Sequence, residues 1–191
     1  MKFINNKTIE IDRELSDLDR FILDFIKVLN KHVKYVIVSG YVAILLGRGR
    51  ASEDVDIIIS KIDFSTFKLL YSELRENKFY CLNAEEEKTV YSYLEDNLAV
   101  RFAKMRSVIP NVEMKCVKDK VDRIAIENAI NVKLSEGVLK ISNLELQIAF
   151  KEEVLRSPRD LEDAEYIRDV AKGYLDEKLI QSYKEMLHGF Y

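Results

Sequence analysis

The 191-residue sequence has no tryptophan, two prolines, six glycines, two cysteines and two histidines. So few Gly and Pro leave little room for long flexible linkers. Cys81 and Cys116 stand alone, without the paired spacing of a metal site, and read as ordinary buried thiols of a reducing compartment. His32 and His188 are too few and too far apart for a zinc centre. No apolar run nears the roughly 20 residues that cross a bilayer, and Met1–Asp12 has no apolar signal core. The expectation is a cytoplasmic protein with no membrane partner. A net charge of −3 excludes a whole-molecule basic field for nucleic acid, although a local patch remains open.

What is present is a core-forming chain: 48% hydrophobic residues alongside 33% charged ones. Leu15, Leu18, Phe21, Ile22, Phe25, Ile26 and Leu29 recur at three and four and predict an amphipathic helix. Tyr35–Val38 and Val55–Ile59 read as short buried strands, with a short helix over Val42–Leu46 between them. Phe64–Leu74 reads as helix, Tyr80–Tyr93 is ambiguous, and Leu98–Met105 and Val112–Val117 alternate as strands. A hairpin is expected at Ile130–Leu134 and Val138–Ile141, turning at Ser135–Gly137. Ser142 or Asn143 is expected to cap a helix over Leu144–Leu155, followed by helices at Asp160–Ala171 and Glu177–Leu187. Mixed α/β structure thus occupies residues 1–141 and helices occupy 142–191. Phe21, Phe25, Tyr71, Tyr166 and Tyr183 fall at helical spacing and read as core.

Chemistry concentrates between Ser39 and Asp56. A strand leads into Ser39–Gly40, then a short helix, then a loop carrying Arg48, Arg50 and Ser52, then Asp54-Val55-Asp56. Strand alternation puts Asp54 and Asp56 on one face. Two carboxylates side by side repel unless a cation lies between them. Mg²⁺ takes oxygen ligands, typically one or two carboxylates plus substrate phosphates. Glycine lets phosphate approach the main chain. Arg48 and Arg50 suit a triphosphate or leaving pyrophosphate, with a hydroxyl added by Ser52.

This segment resembles the signature of the nucleotidyltransferase fold superfamily related to DNA polymerase beta: a hydrophobic strand, Gly-Gly or Gly-Ser, about ten residues, then Asp-x-Asp. Here the pair is read as Gly40–Tyr41, with twelve residues before Asp54. Arg50-Ala-Ser52-Glu-Asp54-Val-Asp56 also resembles a run in nucleotidyltransferase toxins of abortive-infection toxin–antitoxin pairs. Ser39-Gly-Tyr-Val-Ala-Ile-Leu, Pro110-Asn-Val-Glu-Met-Lys115, Leu144-Glu-Leu-Gln-Ile-Ala-Phe-Lys151 and Asp160-Leu-Glu-Asp-Ala164 resemble uncharacterised archaeal nucleotidyltransferase-like proteins. The likeness covers most of residues 35–170.

The resemblance implies an α+β nucleotidyltransferase fold: a small mixed sheet flanked by helices, with a C-terminal helical region packed on it. It implies transfer of a nucleoside monophosphate from a nucleoside triphosphate such as ATP to an acceptor hydroxyl on RNA, protein or a small molecule. The cofactor is Mg²⁺ or Mn²⁺, held by Asp54, Asp56 and a third acid. Glu113, a lone acid between Val112 and Met114, is the choice for that acid, as metal ligand or general base. Ser39, Gly40, Tyr41, Arg48, Arg50, Ser52, Lys151 and Asp160 are the expected nucleotide contacts. Asp160 equally suits a helix N-cap after Ser157–Pro158, and Asp163 a first helical turn. Tyr41, in place of a small residue, motivates a second reading: a non-catalytic nucleotide- or partner-binding module. An antitoxin, docked on the C-terminal helices, or a second copy of the chain would then be its partner.

Overall fold

A computed structural model describes residues 1–189. Its mixed α+β fold is built on a nine-stranded sheet flanked by helices. In chain order the strands are β1 (Lys2–Asn5), β2 (Thr8–Glu10), β3 (Tyr35–Val38), β4 (Asp54–Ile59), β5 (Phe79–Cys81), β6 (Val100–Lys104), β7 (Asn111–Cys116), β8 (Ile130–Leu134) and β9 (Gly137–Ile141). The helices are α1 (Asp17–Leu29), α2 (Gly40–Leu45), α3 (Phe64–Glu76), α4 (Glu87–Glu95), α5 (Lys120–Glu127), α6 (Leu144–Phe150), α7 (Pro158–Val170) and α8 (Glu177–His188).

The spatial order of strands is β1-β2-β8-β9-β3-β4-β7-β6-β5. The N-terminal and β8–β9 hairpins extend the sheet on one side of a central β3–β4–β7 unit. In that unit β3 runs antiparallel to β4, and β4 runs parallel to β7. β4 is buried along Val55, Ile57, Ile58 and Ile59, so only its opening residues, Asp54 and Asp56, face partly outward. A strand of this kind is held by its apolar end, which leaves the polar end free for chemistry.

α1 follows the expected stripe and starts at a capping box, with Ser16 and Asp19 bonding each other's backbone N–H. Its buried face packs Phe25 against Phe79 and Phe102, at ring-centroid distances of 5.2 and 5.8 Å. Phe21, Tyr71 and Tyr183 are buried as expected, and Tyr166 is partly buried against the same core. The two free cysteines are buried. One apolar cluster extends from Ile9 in β2 to Leu187 in α8, so the C-terminal helices share the core of the sheet.

The structure differs from or completes the sequence reading at five local points. Helix α5 was not anticipated, because its eight residues carry only Val121 and Ala125 as buried apolar positions. Asp119 caps it by accepting from Asp122 N. The ambiguous Tyr80–Tyr93 segment divides into β5 and α4. Neither Ser142 nor Asn143 caps α6 through its side chain; instead Asn143 occupies the N-cap position with no side-chain bond there. The helix expected to run unbroken from Leu144 to Leu155 widens after Phe150 into a π-helical turn, Lys151–Leu155, which Arg156 ends in a left-handed conformation. Such π segments recur at functional sites. Ser157, not Asp160, caps α7.

Candidate active site

The turn from β3 into α2 sets the geometry. Ser39 has φ 64° and ψ −140°, a region that L-residues rarely occupy and that costs about 1–3 kcal/mol. Gly40 begins the helix. A Cβ on Gly40 would lie 2.8 Å from Nη2 of Arg50, so the guanidinium of Arg50 packs directly on the bare glycine. The small-residue pair at this turn is therefore Ser39–Gly40, one position earlier than Gly40–Tyr41.

Tyr41 lies inside the core, 1% exposed. Its hydroxyl donates to Oδ1 of Asp19 at 2.7 Å. Asp19, itself fully buried, also accepts from Arg13 Nη1 at 2.6 Å and from Ser16 N and Oγ. Burial pushes the Asp19 carboxyl up, but the bonds from Arg13, Tyr41 and Ser16 outweigh it and hold the carboxyl below its ordinary range. Burial, followed by the charge and hydrogen bond of Asp19, drives the Tyr41 phenol far up. Tyr41 is thus a neutral core donor whose side chain points away from the site.

Asp54, Asp56 and Glu113 come from neighbouring strands. Parallel register places Asp56 beside Glu113 and Ile58 beside Lys115. Ser52 Oγ donates to the Asp54 carbonyl at 3.0 Å and lies 3.3 Å from Asp54 Oδ1. Burial raises the Asp56 carboxyl to about 6; a hydrogen bond from Ser39 opposes this, the charges of Asp54 and Glu113 add to it, and Lys115 opposes it. Glu113 already has a counter-ion: Arg101 Nε donates to its Oε2 at 2.8 Å, across the β6–β7 pair. The opposition of Arg101 to Glu113 rests on a strand register that alternation along the sequence does not give.

The remaining cations converge on α7. Asp163, fully buried, accepts from Arg48 Nη1, from Arg50 Nη1 at 2.7 Å and from Lys151 Nζ at 2.8 Å. Lys151, 1% exposed, also donates to Asp160 at 3.0 Å, and Arg48 pairs with Glu162. Three cations are therefore matched by three acids. Arg50 keeps one buried donor, Nε, with no acceptor. The sequence reads Asp163 as a first-turn acid; its role as the hub of this network is not legible there, because Arg48 and Arg50 lie more than a hundred residues away, 115 and 113 positions along the chain.

A cavity of about 280 Å³ adjoins Asp56 and Glu113. It runs between the Asp56–Ile58 edge of β4, helix α5, and the α6–π segment that carries Gln147, Phe150 and Lys151.

Among the described residues, no three His, Cys, Asp or Glu side chains gather closely enough to hold a metal ion by themselves. Asp54 and Asp56 supply an all-oxygen pair on one strand face with no cation of their own. That donor set fits Mg²⁺, which completes its shell with water and substrate phosphate. Glu113 is adjacent but is occupied by Arg101.

No family model matches the sequence, nor does any curated protein. The solved structure of an antigenic nucleotidyltransferase-like protein from Paracoccidioides brasiliensis is similar, with a TM-score of 0.53 and 16% identity over 92% of this chain and 90% of that one. The fold is nucleotidyltransferase-like. JHP933 from Helicobacter pylori aligns at a TM-score of 0.49, with 15% identity over 91% of this chain and 75% of its own. In the nucleotidyltransferase-like fold described here, Ser39, Asp56 of β4 and Glu113 of β7 line one side of the cavity, which Gly40 and Asp54 do not line. No helix among the described residues is long and apolar enough to cross a membrane.

Proposed function

We propose that this chain is a metal-dependent nucleotidyltransferase. The observation that carries the reading is the carboxylate edge: Asp56 flanked by Asp54 on its own strand and by Glu113 in register, with its carboxyl forced up to about 6. Such a cluster gains most from a cation and a phosphate ester. Mg²⁺ or Mn²⁺, held by Asp54 and Asp56, would supply positive charge for the α-phosphate and the leaving group.

The protein's own groups do the rest. The Ser39–Gly40 backbone gives phosphate close access. Arg50, in the loop between α2 and β4, packs its guanidinium on Gly40 and keeps Nε unpartnered as a donor beside that turn. The acceptor hydroxyl oxygen bonds to the α-phosphorus and the α–β bridging bond breaks, releasing pyrophosphate. Glu113, once released from Arg101, takes the hydroxyl proton. The acceptor class (RNA, protein or small molecule) follows from whichever substrate is labelled. The test is incubation with each α-labelled triphosphate, Mg²⁺ or Mn²⁺, and total RNA or protein extract. Label transfer is expected in the wild type and absent in Asp54→Ala and Asp56→Ala; transfer that persists in both variants refutes the assignment.

A second reading has its own support. Arg48, Arg50 and Lys151 are neutralised by Glu162, Asp163 and Asp160, which lowers their attraction for a triphosphate. A binding module without turnover, partnered by an antitoxin or a second copy, would show nucleotide-dependent thermal stabilisation and no labelled product under any condition.

A further inference from the structure

The geometry points to the cavity beside Asp56 as the seat of the nucleobase, with Gln147 reading its edge and Ser142 assisting. This rests on the nucleotide-binding reading above and adds to it the part of the substrate that is selected.

The cavity, at about 280 Å³, sits just under the usual range of roughly 300–1,000 Å³ for small-molecule sites. It therefore suits one ring system and not a peptide or an RNA segment. Its walls are mainly hydrocarbon, from Val121, Ala125, Leu146 and Leu155, with the ring of Phe150. That lining suits a flat, neutral heterocycle. It does not suit a polyhydroxylated acceptor, whose hydroxyls would lack partners. Charged groups of both signs also line it: Asp56, Glu113 and Asp122 with Lys115 and Lys151.

Two polar groups in this wall have no partner. The Gln147 residue is 6% exposed, and its amide makes no hydrogen bond to any described residue. Ser142 is fully buried, and its Oγ has no hydrogen-bond partner. The Gln147 amide, on the cavity wall, offers a donor and an acceptor side by side, the complement of a base edge. Gln147 lies in the middle of α6 and Ser142 just before its N-cap, on the segment that continues into the π turn of Lys151, so a base held by Gln147 lies on the element that leads to the site's cationic side.

The experiment is calorimetric titration of the full chain with ATP, GTP, CTP, UTP, their nucleosides and inorganic tripolyphosphate. The wild type is expected to prefer one base by at least about tenfold, in nucleosides as in triphosphates. Gln147→Met, which keeps volume and removes the amide, should weaken the preferred base roughly tenfold to a hundredfold and leave tripolyphosphate unchanged. Ser142→Ala should act in the same direction and less. Equal binding of all four bases by the wild type, a preference that survives Gln147→Met, or equal loss of all ligands including tripolyphosphate overturns the assignment. Photo-crosslinking of a base-azido triphosphate to the wild type provides a readout free of folding effects: label within residues 121–125 or 142–155, which wall the cavity, is expected, and label confined elsewhere refutes it. Base-selective binding without labelled product leaves this subsite standing and removes the transferase reading. Transfer that is indifferent to Gln147 does the reverse.

Discussion

Asp56 on β4 lies in parallel register beside Glu113 on β7, and its carboxyl is raised to about 6 while Glu113 is paired with Arg101. An unfolded aspartate titrates near 3.8. The folded state therefore binds this proton more tightly, and Asp56 favours folding at low pH. The contribution is lost as pH rises from about 3.8 through about 6. The gap between the two values corresponds to roughly 3 kcal/mol, an upper bound for a half-buried group. Asp56→Asn should therefore be more stable than wild type at pH 7 by up to that amount, and by little at pH 3. Urea melts of both proteins at the two pH values check the difference. Mg²⁺ should stabilise the wild type at pH 7 and leave Asp56→Asn nearly unmoved.

Arg101 holds Glu113 by a charge-assisted bond at the surface. Arg101→Gln should free Glu113 to join Asp54 and Asp56, so Mn²⁺ affinity, read by calorimetry, is expected to rise severalfold. Unchanged affinity would mean that Glu113 is not a ligand.

Tyr41→Phe removes the bond to Asp19 but keeps the ring in the core. Chemical denaturation should show a loss of about 1.5–3 kcal/mol, the range for a hydrogen bond to a charged group. Nucleotide affinity should not move, because the phenol points away from the site.

Asp163 is the only described acid that meets Arg48, Arg50 and Lys151 together. Asp163→Asn should destabilise the protein by about 3–5 kcal/mol, since it leaves buried cations uncompensated. Equilibrium unfolding measures the loss.

Gly40→Ala forces its new methyl onto the Arg50 guanidinium, which Asp163 holds in place. A cost of about 1–3 kcal/mol is expected for this overpacking. The cost should largely vanish in the Gly40→Ala, Arg50→Ala double variant relative to Arg50→Ala alone, a coupling that a double-mutant cycle reads directly.

The central strands, α1, α3 and the β8–β9 hairpin were legible because each buries a face at its own period, and a period is a local property. Helix α5 was not, since eight residues with few buried apolar side chains carry too little periodicity. The same limit applied to the π turn at Lys151. The sequence shows the Ser39–Gly40 turn, but nothing in the letters marks Ser39 as the residue at positive φ. A glycine there would have signalled it; the serine hides it.

Asp54 and Asp56 on one face of a strand, entered through a small-residue turn, followed from the sequence alone, because alternation decides facing without reference to the rest of the chain. Tertiary structure alone decided what surrounds them. Glu113 reaches Asp56 only through a parallel crossover, Tyr41 finds Asp19 across the core, and Arg48 and Arg50 are claimed by Asp163 on a distant helix. Facing is set by the backbone over two residues, whereas the partner of a buried charge is set by which elements pack together, and that is a property of the whole core.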